Sequence, residues 1–155
     1  MVSSMTKTGV AEMRLQKGFT LIELLTVVAI IGILAVIVVP SYQSYIYRGK
    51  VPDALSNLAA KRVQMEQFYQ DNRTYVGAQA CNTDTSTSQY FNFSCPAAPD
   101  SRSYTVQATG KVSMSGFTYT INHDNAKTSS IVAPAPSGWI GSSASCWIIK
   151  QGGGC

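Results

Sequence analysis

The sequence predicts an α+β fold in which one long N-terminal helix packs on a small antiparallel β-sheet. The first observation behind this prediction is an almost unbroken apolar run over residues 19–39, followed by an amphipathic helical pattern that ends near Asp71. The second is a set of short segments in which apolar and polar residues alternate, separated by turn-forming residues. A helix followed by a group of strands is the element order of an α+β domain.

The apolar run, residues 19–39, has the length of a membrane-spanning helix. At about 1.5 Å per residue it reaches roughly 32 Å, and a hydrocarbon core is about 30 Å thick. Its only formal charge is Glu23, which we expect to need a positively charged partner because a lone carboxylate is costly to bury. We expect a helix break at Gly32 and Pro40, because glycine weakens a helix and proline removes an amide donor.

The start of this run carries a specific motif, Lys17-Gly18-Phe19-Thr20-Leu21-Ile22-Glu23-Leu24-Leu25. The motif resembles the prepilin signature of type IV pilins and of type II secretion pseudopilins. The resemblance implies that a membrane enzyme, prepilin peptidase, cuts between Gly18 and Phe19 on the cytoplasmic side. It also implies that Phe19 is then N-methylated, that Glu23 takes part in filament assembly, and that the chain adopts the pilin fold.

Three segments follow from this resemblance. Residues 1–18 form a cytoplasmic leader that is removed, residues 19–52 form a transmembrane and assembly helix, and residues 53–155 form an exported globular domain. An ordinary secretory signal would place its small-residue cleavage site after the apolar core, whereas Gly18 precedes it. Translation from Met13 instead of Met1 would give a short basic leader, so the start codon stays open.

The second half of the helix and the strands are predicted from periodicity. Strands are expected at residues 104–108, 117–121, 129–133 and 146–150, and loops at 81–99 and 134–145. Residues 66–75 and the later Cys146-Trp147 pair resemble the PilE-type minor pilins. The apolar stripe expected to face the sheet consists of Leu55, Leu58, Ala59, Val63, Met65 and Tyr69.

All four cysteines follow the apolar run, which suggests two disulfides if that part of the chain is exported to an oxidising compartment. Four cysteines allow three pairings. We expect Cys81–Cys95 and Cys146–Cys155, because pairing close neighbours closes two small loops. No closely spaced cysteine pair of the C-x-x-C type is present, so zinc is not expected.

Composition argues against an enzyme. His123 is the only histidine, the acidic residues are scattered, and neither a P-loop nor a dinucleotide-binding glycine motif occurs. Asp84 and Asp100 lie near one loop but form no dense run of oxygen ligands, so calcium is not expected. We therefore expect no cofactor and no metal.

DNA binding is the main alternative to a purely structural role. The net charge of +4 falls to +2 when residues 1–18 are removed, which is too mild to indicate DNA binding by itself. The basic and aromatic candidates are dispersed along the sequence, so DNA is a possible partner that we do not favour. These candidates are Arg102, Lys111, Lys127, Lys150 and Trp139.

The sequence thus predicts a non-enzymatic structural subunit of a type IV pilus. Its precursor is expected in the bacterial inner membrane, and the mature subunit in an extracellular filament built with other pilin subunits. A type II secretion pseudopilin and a DNA-uptake receptor pilin remain as alternatives. The sequence leaves open whether the subunit is major or minor, and whether the filament serves adhesion, twitching motility or DNA uptake.

Overall fold

The computed structural model describes residues 18–155. It has the expected α+β architecture: one long helix, followed by five strands and four short 3₁₀ helices. The chain divides into two compact units, the first ending at Val38 and the second spanning Val39–Cys155. The elements are α1 (Leu21–Asn72), β1 (Phe91–Ser94), β2 (Thr105–Gly110), β3 (Phe117–Asn122), β4 (Lys127–Ile131) and β5 (Gly141–Ser143), with 3₁₀ turns at Gln79–Cys81, Val112–Met114, Ser137–Trp139 and Gln151–Gly153.

Helix α1 runs without interruption from Leu21 to Asn72, so the break expected at Gly32 and Pro40 is absent. An interior proline removes one helical hydrogen bond and costs about 3 kcal/mol, and a glycine costs about 1 kcal/mol. Each of these destabilising effects is confined to one position of a helix 52 residues long. The helical hydrogen bonds on either side of both residues persist, because helix propagation is cooperative.

The five strands form one antiparallel sheet in the order β1-β2-β3-β4-β5, so each strand pairs with its neighbour in sequence. Burial alternates along the strands, as expected for a sheet with one covered face. In β3 the residues Phe117, Tyr119 and Ile121 are buried, whereas the intervening threonines and Asn122 are partly exposed. The covered face of the sheet therefore supplies half of the core.

Three of the assignments made from sequence were wrong: two strands lie in segments expected to be loops, and the strand expected at residues 146–150 does not form. Strand β1 lies inside the segment predicted as a loop, and β5 has the sequence Gly-Ser-Ser, which carries no apolar signal. Residues 146–148 do not pair as a strand. They are held instead by Ser129, whose Oγ donates to the Cys146 carbonyl at 2.7 Å and accepts the Ile148 amide at 2.8 Å.

The other half of the core comes from one face of α1. Leu58 and Met65 are fully buried, together with Ala54, one turn before Leu58, and Val51, two turns before it. Val63 was predicted on this face but is half exposed, since at 100° per residue it lies roughly 140° around the helix from Leu58. Ala59, also predicted there, is likewise exposed. The aromatic partners of this face are Phe91, Phe93, Tyr104, Phe117, Tyr119 and Trp139.

Candidate functional site

The amino-terminal end of α1 is closed by a capping box between Thr20 and Glu23. The Glu23 amide donates to Thr20 Oγ1 at 3.2 Å, and the Thr20 amide donates to Glu23 Oε2 at 3.5 Å. This reciprocal pair satisfies two amides that have no partner within the helix. The carboxylate of Glu23, the lone acid of the apolar run, is thereby directed towards Thr20, just before the first residue of α1.

The bond between Gly18 and Phe19 lies just outside the helix. Both residues are exposed, and the Phe19 side chain is 85% accessible. Lys17 and the rest of the expected leader lie outside the described residues. A peptidase that cuts here would meet an uncovered peptide bond two residues before α1 begins.

The first part of α1 is apolar on all sides and uncovered. Its most apolar 18-residue window has a mean hydropathy of 3.0, and none of that window is buried. Within residues 18–155 this is the one helix long and apolar enough to cross a membrane, judged by length and composition. A helix that is apolar all round needs an apolar environment, which lipid or other helices can supply.

The structure joins the four cysteines as two disulfides between close neighbours. Cys81 pairs with Cys95, with their Cα atoms 4.9 Å apart. Cys146 pairs with Cys155, with Cα atoms 6.0 Å apart. The first bond ties the segment before β1 to the residue that follows it, and the second ties the carboxyl terminus to the segment after β5. Both bonds constrain surface loops of the second unit.

Sequence reasoning missed a partly buried carboxylate, that of Glu66, which joins helix and sheet. Glu66 accepts hydrogen bonds from the hydroxyl of Tyr104 at 2.7 Å and from that of Tyr75 at 3.1 Å. Burial raises the pKa of Tyr104 well above its usual range, and the neighbouring Glu66 raises it further. The same causes raise the pKa of Tyr75 to about 12. No local sequence pattern indicates these contacts, since they join distant parts of the chain.

A second missed contact holds the disulfide loop to α1. Asp84 forms an ion pair with Lys61 at 3.0 Å and accepts a hydrogen bond from Thr87 Oγ1 at 2.7 Å. Hydrogen bonds from Thr87 and Lys61 hold the pKa of Asp84 well below its usual range. Ser88, in the same loop, donates to the carboxylate of Asp53 on the helix. These polar contacts explain why a loop rich in Ser and Thr is ordered.

The structure disperses the DNA-binding candidates. Trp139 is fully buried against Phe117, with ring centroids 5.5 Å apart, so it cannot stack on a base. Lys111 follows β2 and Lys127 opens β4, and their strand positions oppose opposite ends of β3. About 13 Å of strand separates those ends. Arg102 and Lys150 are exposed on separate loops.

Among the basic DNA-binding candidates, Lys127 pairs with an aromatic ring that the sequence did not indicate. The ammonium of Lys127 lies 4.6 Å from the centroid of the Trp147 ring, which is partly exposed. By contrast, Lys111 donates through Nζ to the carbonyl of Thr85 at 2.7 Å. Lysine–aromatic pairs also involve Lys50 and Lys61, but their distances from ammonium to ring centroid are longer.

No catalytic or metal-binding constellation is found in residues 18–155. His123 pairs through Nε2 with its neighbour Asp124 at 3.2 Å. No group of three or more His, Cys, Asp or Glu residues is arranged to hold a metal ion in this part of the chain.

Comparison with known proteins identifies the class. Residues 13–39 match the family described as the prokaryotic N-terminal methylation motif. Together with the fold, this match makes the chain a type IV pilin. Residues 40–130, more than half of the chain, match a second family, and the chain belongs to it: the family described as type IV minor pilin ComP, DNA uptake sequence receptor.

Curated relatives agree with this class. The chain is 52% identical over 59 residues to the type IV major fimbrial protein FimA of Dichelobacter nodosus, which covers 38% of each protein. It is 47% identical over 66 residues to a fimbrial protein of Pseudomonas aeruginosa, covering 43% of each. It is 40% identical over 67 residues to the fimbrial protein EcpC of Eikenella corrodens, covering 43% of this chain and 44% of that protein. The chain spans less than half the length of these relatives.

Proposed function

We propose that the chain is made as a membrane precursor and matures into a subunit of an extracellular type IV filament. The leader, residues 1–18, stays on the cytoplasmic side of the inner membrane. Prepilin peptidase cuts between Gly18 and Phe19, and the new amine of Phe19 is methylated. The exposure of Gly18 and Phe19 and the match to the methylation motif support this step.

Assembly transfers the apolar part of α1 from lipid into a bundle of related helices. The helix is uncovered on all sides, so either environment shields its apolar surface from water. The transfer exchanges lipid contact for helix contact and does not expose the apolar residues. The second unit, cross-linked by two disulfides, then forms the outer part of the filament.

Glu23 is proposed to set the position of each subunit against the next. The observation that carries this role is a single carboxylate in an otherwise apolar and uncovered helix segment. An ammonium at Phe19 of one subunit and the carboxylate at Glu23 of its neighbour would neutralise each other, which lowers the cost of burying both. Because each subunit offers one amine and one acid, the pairing also fixes the axial stagger.

The capping box provides a sharp test of this role. Glu23→Gln keeps a side chain that can cap the helix but removes the charge, whereas Glu23→Ala removes both. Filaments are sheared from cells, and the subunit in them is quantified against the membrane-bound pool. Both variants should be processed and stable but enter filaments poorly. Normal incorporation of Glu23→Gln would show that the charge is not needed and that Glu23 serves only as a helix cap.

DNA uptake is the second candidate function, and the family match favours it. The pair formed by Lys127 and Trp147 is the surface that suits a nucleic acid best. A filament subunit can carry such a surface without losing its structural role. Binding of duplex DNA by the mature protein, measured at two salt concentrations, separates the two functions, because phosphate-driven binding weakens steeply with salt.

A further inference from the structure

The loop between β2 and β3 displays one apolar side chain. Val112 is 87% exposed, the highest value among the large apolar side chains that the structure describes in residues 39–155. Its backbone φ is 52°, in the left-handed region that β-branched residues rarely adopt. Glycine or asparagine would adopt this conformation at a lower cost in free energy. Because the Val112 side chain is so exposed, its contacts within the subunit do little to offset that cost.

Contacts on both sides of this residue hold the loop in place. Met114 is fully buried, and Lys50 Nζ donates a hydrogen bond to Ser113 Oγ at 2.9 Å. On the other side, the amide of Lys111 donates to the carbonyl of Tyr90 at 2.9 Å. The loop therefore presents the exposed valine side chain in a fixed position, and we call that side chain the knob.

A pocket that can receive an apolar side chain lies elsewhere in the second unit. It has a volume of about 310 Å³ and forms between α1 and the segment that follows the helix. This volume lies at the lower end of the range for ligand pockets. The lining carries no charge and combines one aromatic ring, three small residues and two side-chain amides: Phe68, Gly77, Ala78, Ala80, Gln64 and Gln79. We call this cavity the Phe68 pocket.

The knob and the Phe68 pocket lie at different levels of the second unit. Lys50, which holds the loop, and Gln64, which lines the pocket, both belong to α1. Gln64 follows Lys50 by 14 residues, or about 21 Å along the helix axis. Two complementary patches at different places on one chain make a heterologous contact, which builds either a closed ring or an open helical filament. A filament of pilin subunits needs contacts of this kind.

We propose that the knob of one subunit inserts into the Phe68 pocket of a second copy of this chain in the filament. The proposal rests on the proposed assembly into an extracellular filament. Insertion removes the apolar side chain of Val112 from water. The amide oxygen of Gln64 or Gln79 accepts a hydrogen bond from the hydroxyl of Ser113, which is exposed beside the knob. Because the loop is already held in place, docking costs little conformational entropy.

Replacing the knob by a polar side chain separates assembly from folding. Val112→Asn suits a positive φ, so this variant should be processed and should be at least as stable as the wild type. Its amount in sheared filaments, relative to the membrane-bound pool, should nevertheless fall at least threefold. Val112→Ile is the matched control, because it keeps an apolar β-branched side chain, and it should enter filaments normally. Wild-type incorporation of Val112→Asn, or an equal loss for Val112→Ile, would overturn the proposal.

Cysteine cross-linking identifies the surface that receives the knob. Two differently tagged copies are expressed together, one with Val112→Cys and the other with Gln79→Cys, and the sheared filaments are oxidised. The proposal predicts a disulfide-linked dimer that carries both tags, since a disulfide needs Cα atoms within about 7 Å of each other. Ala126→Cys, exposed in the turn between β3 and β4, replaces Val112→Cys in the control pair and should give at least fivefold less dimer.

Two cross-linking results contradict the contact. Either both cysteine variants enter filaments without forming the mixed dimer, or the control pair cross-links equally. Absence of the wild-type subunit from filaments is a different failure, because it contradicts the proposed filament function itself, and the contact falls with it.

Discussion

The hydroxyl of Tyr104 donates a hydrogen bond of 2.7 Å to Oε1 of Glu66, which lies 38 residues earlier in the chain. Glu66 belongs to α1, and Tyr104 immediately precedes β2. The other carboxylate oxygen of Glu66 accepts from Tyr75, in the turn after the helix. One partly buried acid thus joins the helix, the turn and the sheet.

Removing one hydroxyl should weaken this arrangement measurably. Tyr104→Phe removes a hydrogen bond to a charged acceptor, and we expect the free energy of unfolding to fall by about 1.5–3 kcal/mol. Thermal or urea unfolding of the detergent-solubilised mature protein measures the change. Tyr45→Phe is the control, because Tyr45 is exposed, and it should change stability by less than about 0.5 kcal/mol. Equal stability of the two variants would mean that the hydrogen bond contributes nothing.

The same tyrosines predict sensitivity to alkaline pH. The pKa of Tyr75 is raised from 10.0 to about 12, first by burial and then by Glu66. Between those values the unfolded protein releases the proton while the folded protein keeps it, so stability is complete below pH 10 and falls as pH rises towards 12. Burial also raises the pKa values of Tyr104 and Tyr119. Unfolding measured from pH 9 to 12 should therefore show this decline, and Tyr75→Phe should make it shallower without removing it. A flat wild-type profile would contradict the assignment.

Prediction from sequence succeeded where one local pattern determined the structure. The long helix that begins in the apolar run and the strand at Phe117–Asn122 each follow from composition or periodicity over a few residues. Prediction from sequence failed where contacts between residues distant in the chain determine the structure. The contact of Glu66 with Tyr104 joins separate elements, and strand β5 exists because its backbone pairs with β4, although its Gly-Ser-Ser sequence has no strand preference.

In the candidate site, too, some residues could be identified from a local motif, whereas others depend on the fold. The residues at the start of α1 act near one another in sequence, so their proposed roles could be read from a motif. Whether the basic residues lie together on the surface depends on the fold, and no local sequence pattern reports it. Tryptophan is a residue type that can stack on bases, but Trp139 is buried in the core. Trp147 instead lies at the surface beside Lys127. No sequence period distinguishes these two tryptophans.

The mature protein should bind duplex DNA weakly and without sequence preference near physiological salt. Its net charge is only +2 after removal of residues 1–18, and its basic side chains are dispersed, so few phosphates can be neutralised together. Lys127→Ala should reduce the remaining binding more than Lys111→Ala, because Lys111 is engaged by the carbonyl of Thr85. Titration with two unrelated sequences at two salt concentrations measures this. Tight, sequence-selective binding at the higher salt would favour the uptake-receptor function.

The most direct test of the central claim is the intact mass of this subunit recovered from sheared filaments. We expect the mass of residues 19–155 plus one methyl group, less the four hydrogens lost in forming the disulfides Cys81–Cys95 and Cys146–Cys155. That single value reports cleavage after Gly18, methylation of Phe19, oxidation and assembly together. A subunit that retains residues before Phe19 in assembled filaments, or one that is cut after Pro40, would contradict the account.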